Sequence, residues 1–247
     1  MNTIRAGDLA ASVLRLAPEQ EQKLLSRLSR GGLIARVKNG VYLVPPRLPL
    51  GGAWTPTDAE VMIALMEEKQ GRYQICGPNA FNLYGFDDQV PNRVYAYNNR
   101  VSGDRRVGAV DLTLIKVDDA RLGDTEEREF GGQAKAVYAS RTRSLVDAVY
   151  DWSRFEGIPR GFEWISRELE SGRVIAERLV ECALRFGDVG TIRRVGALFE
   201  RLGVAESLVR KLESALKPTS SPIPWIPTRP KRGKASTRWG VVFNERA

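Results

Sequence analysis

Residues 18–45 read PEQEQKLLSRLSRGGLIARVKNGVYLVP, and this stretch decides what the N-terminal part of the chain is expected to be. Pro18 suits the first turn of a helix, because the N–H it lacks is one that a first turn leaves unpaired anyway. Leu24, Leu25 and Leu28 recur at helical spacing and Gly31-Gly32 ends the pattern, so the spacing predicts a helix over 18–30. The apolar stripe leaves Lys23, Ser26, Arg27 and Arg30 on the opposite face. Beyond the glycines, 33–37 reads as a strand, Lys38-Asn39-Gly40 as a tight turn and 41–45 as a returning strand. Asn-Gly favours a two-residue hairpin whose turn residues both take positive φ. The tip of this hairpin is basic.

Working outward, residues 6–16 predict an earlier helix, with Leu9, Val13 and Leu16 on one face and Asp8 near its start, where the helix dipole favours a carboxylate. A helix, a proline turn, a basic helix and a basic hairpin, in that order, form the pattern of a winged helix-turn-helix. In that arrangement the second helix enters the major groove of double-stranded DNA and the wing reaches phosphate or the neighbouring minor groove. The expected contacts are Gln20, Lys23, Ser26, Arg27 and Arg30 on the helix, and Arg36, Lys38 and Asn39 on the wing. Lysine and arginine supply salt-dependent phosphate affinity, whereas Gln20 or an arginine suits a base edge. Taken singly, each of these residues also fits an ordinary solvated helix face; their order along the chain favours DNA.

The rest of the chain reads as an α+β body. Residues 57–69 predict a helix capped by Thr57 or Asp58, and 73–76, 93–97, 110–117 and 134–139 predict strands of a small mixed sheet. From 145 onward the period turns helical, giving a bundle packed on that sheet. After Lys217, Pro218, Pro222, Pro224, Pro227 and Pro230 argue for an extended tail, although Trp225 and Trp239 speak for its docking. Lys231, Arg232 and Lys234 form a secondary candidate contact for nucleic acid or a partner, with an inert surface arm as the plainer reading. The expected division is therefore 1–50 (winged helix-turn-helix), 51–217 (α+β body) and 218–247 (basic, proline-rich tail with a final strand).

Charge follows the same division. Residues 1–50 carry eight Lys/Arg against three Asp/Glu (+5) and 217–247 carry seven against one (+6), so the basic excess sits at the two ends around a middle of −3, giving +8 in all. The chain has no histidine, which removes Ser-His-Asp and Cys-His nucleophilic sites and most transition-metal sites. Cys76 and Cys182 lie outside any C-x-x-C pattern and are expected to be small buried apolar residues. Asp111 with Lys116 is the nearest approach to a nuclease motif, and Asp118-Asp119 lacks the Gly-Ser context of a nucleotidyltransferase. No phosphate-cradling glycine motif or dinucleotide fingerprint is present. The expectation is a non-enzyme with no cofactor and no metal. Without an apolar run long enough to span a bilayer or a leader pattern, it is expected in the cytoplasm and away from the membrane.

Four stretches carry a family resemblance: 28–36 (LSRGGLIAR) closed by 39–45 (NGVYLVP); 77–86 (GPNAFNLYGF) followed by Gln89-Val90-Pro91 and Val94-Tyr95; 139–148 (ASRTRSLVDA); and 238–244 (RWGVVFN). In this order they resemble AbiEi-family antitoxins and related prokaryotic regulators. One departure is that winged helices usually have a further helix ahead of the one predicted over 6–16, and five residues precede it here. The resemblance implies a transcriptional autorepressor that binds inverted repeats upstream of its own operon and neutralises a nucleotidyltransferase toxin encoded beside it, with or without a stable complex. Winged helices usually read half-sites, so a homodimer or two copies on adjacent repeats is compatible with this reading. The alternatives are a ligand-responsive winged-helix regulator without antitoxin activity and an adaptor whose basic ends bind an acidic partner.

Overall fold

Val41–Val44, read as VYLV, runs down the middle of a three-stranded antiparallel sheet in the computed structural model, which describes residues 2–5, 17–47, 50–129, 134–218 and 221–245. Its neighbours are β1 (Asn2–Arg5) on one edge and β2 (Ala35–Lys38) on the other, so this strand, β3, is hydrogen-bonded on both sides. The third strand, β1, was not part of the sequence expectation. Ahead of β2 stands the expected helix, α1 (Pro18–Arg30), whose C-terminal turn closes with the Gly31 N–H donating to Arg27 O. The helix expected over 6–16 lies outside the described residues.

The hairpin differs from the expectation at its tip. Gly40 alone takes the left-handed position, at φ 78°, and Asn39 stays out of it. The register shifts between Arg36 and Lys38, so Val37 is an extra residue in β2 and the bulge supplies the twist that a paired positive-φ turn would have given.

After this sheet comes α2 (Asp58–Lys69), which starts on a reciprocal cap: Glu60 N–H donates to Thr57 Oγ1 at 3.3 Å and Thr57 N–H donates to Glu60 Oε2 at 2.8 Å. Six strands then build a mixed sheet: β4 (Tyr73–Ile75), β5 (Val94–Asn98), β6 (Gly103–Val107), β7 (Val110–Lys116), β8 (Thr125–Glu129) and β9 (Lys135–Ala139). Their order is β6-β7-β5-β4-β9-β8, with β5/β7 and β4/β9 parallel and β4/β5 and β6/β7 antiparallel. A short helix, α3 (Pro78–Leu83), follows β4. Beyond β9 the chain is helical: α4 (Arg141–Tyr150), α5 (Trp152–Phe155), α6 (Arg160–Glu170), α7 (Ala176–Phe186), α8 (Val189–Arg201) and α9 (Glu206–Glu213). The α+β class is as expected.

The chain folds into two compact units, Met1–Asn79 with Gln89–Tyr138, and Ala80–Asp88 with Ala139–Ala247. The segment expected as 1–50 and the mixed sheet share the first unit; the helices and the tail share the second. Ala80–Asp88 is therefore built into the helical unit, where Phe81 packs on Trp164 with ring centroids 5.0 Å apart and the Tyr84 hydroxyl donates to Ala139 O at 2.9 Å. Cys76 and Cys182 are buried and form no disulfide, in line with their apolar reading.

The tail is not a loose extension. Ile223–Pro224 (β10), Lys234–Ser236 (β11) and Val241–Phe243 (β12) make a small sheet in the order β10-β12-β11. Trp239 is 1% exposed and lies against Gly196 of α8, with its indole N–H donating to Glu200 Oε2 at 3.0 Å. Beside it the Arg238 guanidinium donates to Glu200, Glu206 and Glu213 at 2.8, 2.8 and 2.7 Å. From α8, Arg193 donates to Ser221 O, and Arg194 to the carbonyls of Pro224 and Trp225. A Cβ at Gly196 would sit 2.1 Å from the Trp239 ring. Gly196→Ala is accordingly expected to destabilise the protein by about 1–3 kcal/mol or more, which at this size lowers Tm by about 2–4 °C per kcal/mol. A thermal melt and the tryptophan emission maximum check it, and unchanged values in both would contradict the slot.

Candidate nucleic-acid interface

The back of α1 is fastened to the hairpin by Leu25, Ile34 and Tyr42, with Leu28 and Val44 packed at the edge of that cluster. Leu25 is 1% exposed, while Leu24 and Leu28 are half-buried, and Glu21 joins the buried face. The opposite face is open: Gln20, Gln22, Lys23, Ser26, Arg27 and Arg30 are all exposed. Among the described residues Lys23, Arg27 and Arg30 make no ion pair, and Arg30 reaches only the Ser26 carbonyl, at 3.4 Å. The helix thus carries an uncompensated row of cations over an anchored apolar back.

Four of the expected contacts are already engaged within the protein. The Gln20 side chain turns back so that its Oε1 accepts the Ala17 N–H at 3.2 Å, which makes it a helix cap. Arg36 is exposed and donates to Asn39 Oδ1, so these two side chains shape the wing tip together. Arg36 pairs with Tyr42 across the hairpin and keeps its side chain exposed. Lys38 is tied to Glu68 of α2, which neutralises it in the free protein. The sequence reading passed over Gln22, one turn before Ser26; the 3.6-residue period was the signal for it, and its amide suits an adenine edge.

Lys231, Arg232 and Lys234 belong to the other unit, all exposed, with Lys234 opening β11. Asp111 stands 3.8 Å from Arg106, across the β6–β7 pair. Asp119 faces Asn99 and Arg72 at 2.8 and 4.0 Å. Among the described residues no group of three or more His, Cys, Asp or Glu could hold a metal, and no helix is long and apolar enough to cross a membrane. The groups whose acidity the fold moves most lie outside α1 and the wing. Burial pushes the Tyr138 phenol up to about 12, and the hydrogen bonds that Arg238 donates to three carboxylates raise its guanidinium.

The fold is similar to that of a solved structure. The crystal structure of the RV2827C protein from Mycobacterium tuberculosis superposes with a TM-score of 0.61 over 98% of this chain and 86% of that one, at 14% identity. At that identity the likeness describes the fold. In sequence, residues 12–123 match the model of a family of unknown function, DUF6088, and this stretch includes α1, the β2–β3 hairpin and much of the mixed sheet. No curated protein matches the chain.

The Lys38–Glu68 contact yields a test. An ion pair this exposed contributes less than about 1 kcal/mol to stability, so Glu68→Gln is expected to leave Tm nearly unchanged while freeing Lys38. The salt dependence of duplex-DNA affinity should then steepen by about one unit in a log–log plot. A slope equal to that of the wild type would mark Lys38 as a cation that belongs to the α2 contact.

Proposed function

We propose that the N-terminal segment is a winged helix-turn-helix that binds double-stranded DNA, and that the protein acts in the cytoplasm as a transcriptional autorepressor on inverted repeats. The observation that carries this reading is the exposed, unpaired row Lys23, Arg27 and Arg30, presented by a helix whose back is locked to a hairpin. From Lys23 to Arg30 the row runs about 10 Å along the axis, comparable with the roughly 12 Å width of the major groove. A helix seated in the groove would bring these side chains to phosphates on its walls and leave Gln22 and Ser26 facing base edges. Arg36 and Asn39 would follow as the wing's contribution to the backbone.

The resemblance to AbiEi-family antitoxins adds the second half of the proposal: neutralisation of a nucleotidyltransferase toxin encoded in the same operon. A second reading is favoured by two adjoining apolar hollows in the helical unit, of about 480 and 460 Å³, which share Ser166 and Leu202. These volumes fall within the range of small-molecule sites. In that reading the chain is a ligand-responsive regulator without antitoxin activity.

The DNA-binding half is tested by gel shift on the gene's own upstream region across a salt series. Lys23→Ala/Arg27→Ala/Arg30→Ala is expected to abolish the specific shift and to flatten the salt dependence by up to about 2–3 log units per log unit of salt. A triple variant that binds like the wild type would sink the recognition-helix assignment. For the antitoxin half, co-expression is expected to restore growth to cells making the neighbouring nucleotidyltransferase. No restoration would leave a repressor and remove the antitoxin.

A further inference from the structure

Residues 229–234, RPKRGK, place four cations in six positions. Elsewhere in the same unit arginines find carboxylates: Arg141 and Arg173 on Glu168, Arg143 on Asp147, Arg160 on Asp87, Arg201 on Glu245, and Arg238 on three glutamates. Lys231, Arg232 and Lys234 are exposed and have no ion-pair partner among the described residues. Arg229 is spent on the Glu245 carbonyl.

A basic run on a free arm would mean little, but this one is built into the fold. Asn244, 2% exposed, donates from its amide to the carbonyls of Ile226, Arg229 and Pro230 at 3.0, 3.1 and 3.0 Å, and its Oδ1 accepts the Ile226 N–H at 2.8 Å. The Arg232 N–H donates to Pro230 O at 2.8 Å. Gly233, at φ 151°, lies so close to β12 that a Cβ there would be 1.9 Å from Phe243 O. Lys234 then pairs with Phe243. The loop's backbone is ordered before any ligand arrives, so binding there does not have to supply that ordering.

We infer that the 229–234 loop is a second, preformed nucleic-acid site that takes the phosphodiester backbone, in a different unit from α1 and independent of it. Lys231 and Lys234 supply point charges, and the Arg232 guanidinium supplies a fork that fits two phosphate oxygens. Trp225 and Trp239, the indoles of the tail, are buried at 2% and 1% and offer no stacking surface. The site therefore reads charge and spacing without reading bases. DNA and RNA both present this chemistry.

The test compares the full-length wild type with Lys231→Gln/Arg232→Gln/Lys234→Gln by fluorescence anisotropy, using a scrambled duplex DNA and a single-stranded RNA across a salt series. The triple variant is expected to bind at least tenfold more weakly at low salt, with a slope reduced by about 2–3 on duplex or about 2 on single strands. The probe that loses more identifies the source of the phosphates. Unchanged tryptophan emission shows that the tail remains docked, and Lys231→Arg/Lys234→Arg should bind as the wild type does. Equal affinity and slope for wild type and triple variant on both probes, or no wild-type binding to either, would overturn the site. Preference for the upstream region over the scrambled duplex belongs to α1 and should be the same in both proteins, so the two assignments fail separately.

Discussion

Burial of β3 on both of its faces is the constraint on which the N-terminal part of the molecule depends. Tyr42 turns to Leu25 and Ile34 and so holds α1 in place, while the Ala35–Leu43 pair turns to the other face, where Gly108 approaches Ala35. Burying side chains the size of Leu25 and Ile34 is worth about 1.5–3 kcal/mol each, enough to fix the helix's rotation about its own axis. That rotation decides which residues face water. With Leu25 inside, Lys23, Arg27 and Arg30 have only the solvent side to occupy.

The protein treats its cations in two ways. Arg143 and Arg194 are structural: they are buried, and each is bound to a carboxylate or to carbonyls, while the partly exposed Arg238 gathers three glutamates. Removing such a partner leaves a desolvated charge, which is why these contacts specify the helical unit and its tail. Lys23, Arg27 and Arg30 on α1 and Lys231, Arg232 and Lys234 in the 229–234 loop have no carboxylate partner among the described residues, and there the backbone is held by the fold while the charge is uncommitted. Lys38 stands between the two groups, held by Glu68 and only partly covered.

Legibility followed burial. Helices α1 and α2 and strands β4, β5, β7 and β9 show in the sequence because one face of each is apolar at the right period, and α1 ends where Gly31-Gly32 said it would. The missed strands are β10 and β11 of the tail and, in the first unit, β1, β6 and β8. The last two are the edges of the mixed sheet and read GDRRV and TEERE, since an edge strand carries charge to discourage pairing with another chain. Of the candidate interface, the cationic face of α1 was readable from the helical period. The Lys38–Glu68 contact was not, because thirty residues separate its partners and only the fold brings them together. The Gln20 cap was not legible either, because a capping side chain and a base-reading side chain have the same donors and acceptors. The tail's indoles signalled docking, but its partner, Gly196, is a residue defined by what it lacks.

The path of the chain through its two units bears on how the protein is made. Ala80–Asp88 belongs with Ala139–Ala247, yet Gln89–Tyr138 is synthesised between them and belongs with the first unit. Phe81 and Phe86 leave the ribosome well before Trp164, the ring on which both pack at 5.0 and 5.7 Å. Until α6 emerges they are apolar side chains without their native cover, a condition that invites chaperone binding or aggregation. The interval has to be bridged by closing a loop of about fifty residues, whose own strands make parallel, non-local pairs that form slowly. Folding of residues 89–138 into their own unit shortens the span that this closure has to bridge, so the order of synthesis favours a first unit that forms before the 80–88 segment finds its helices.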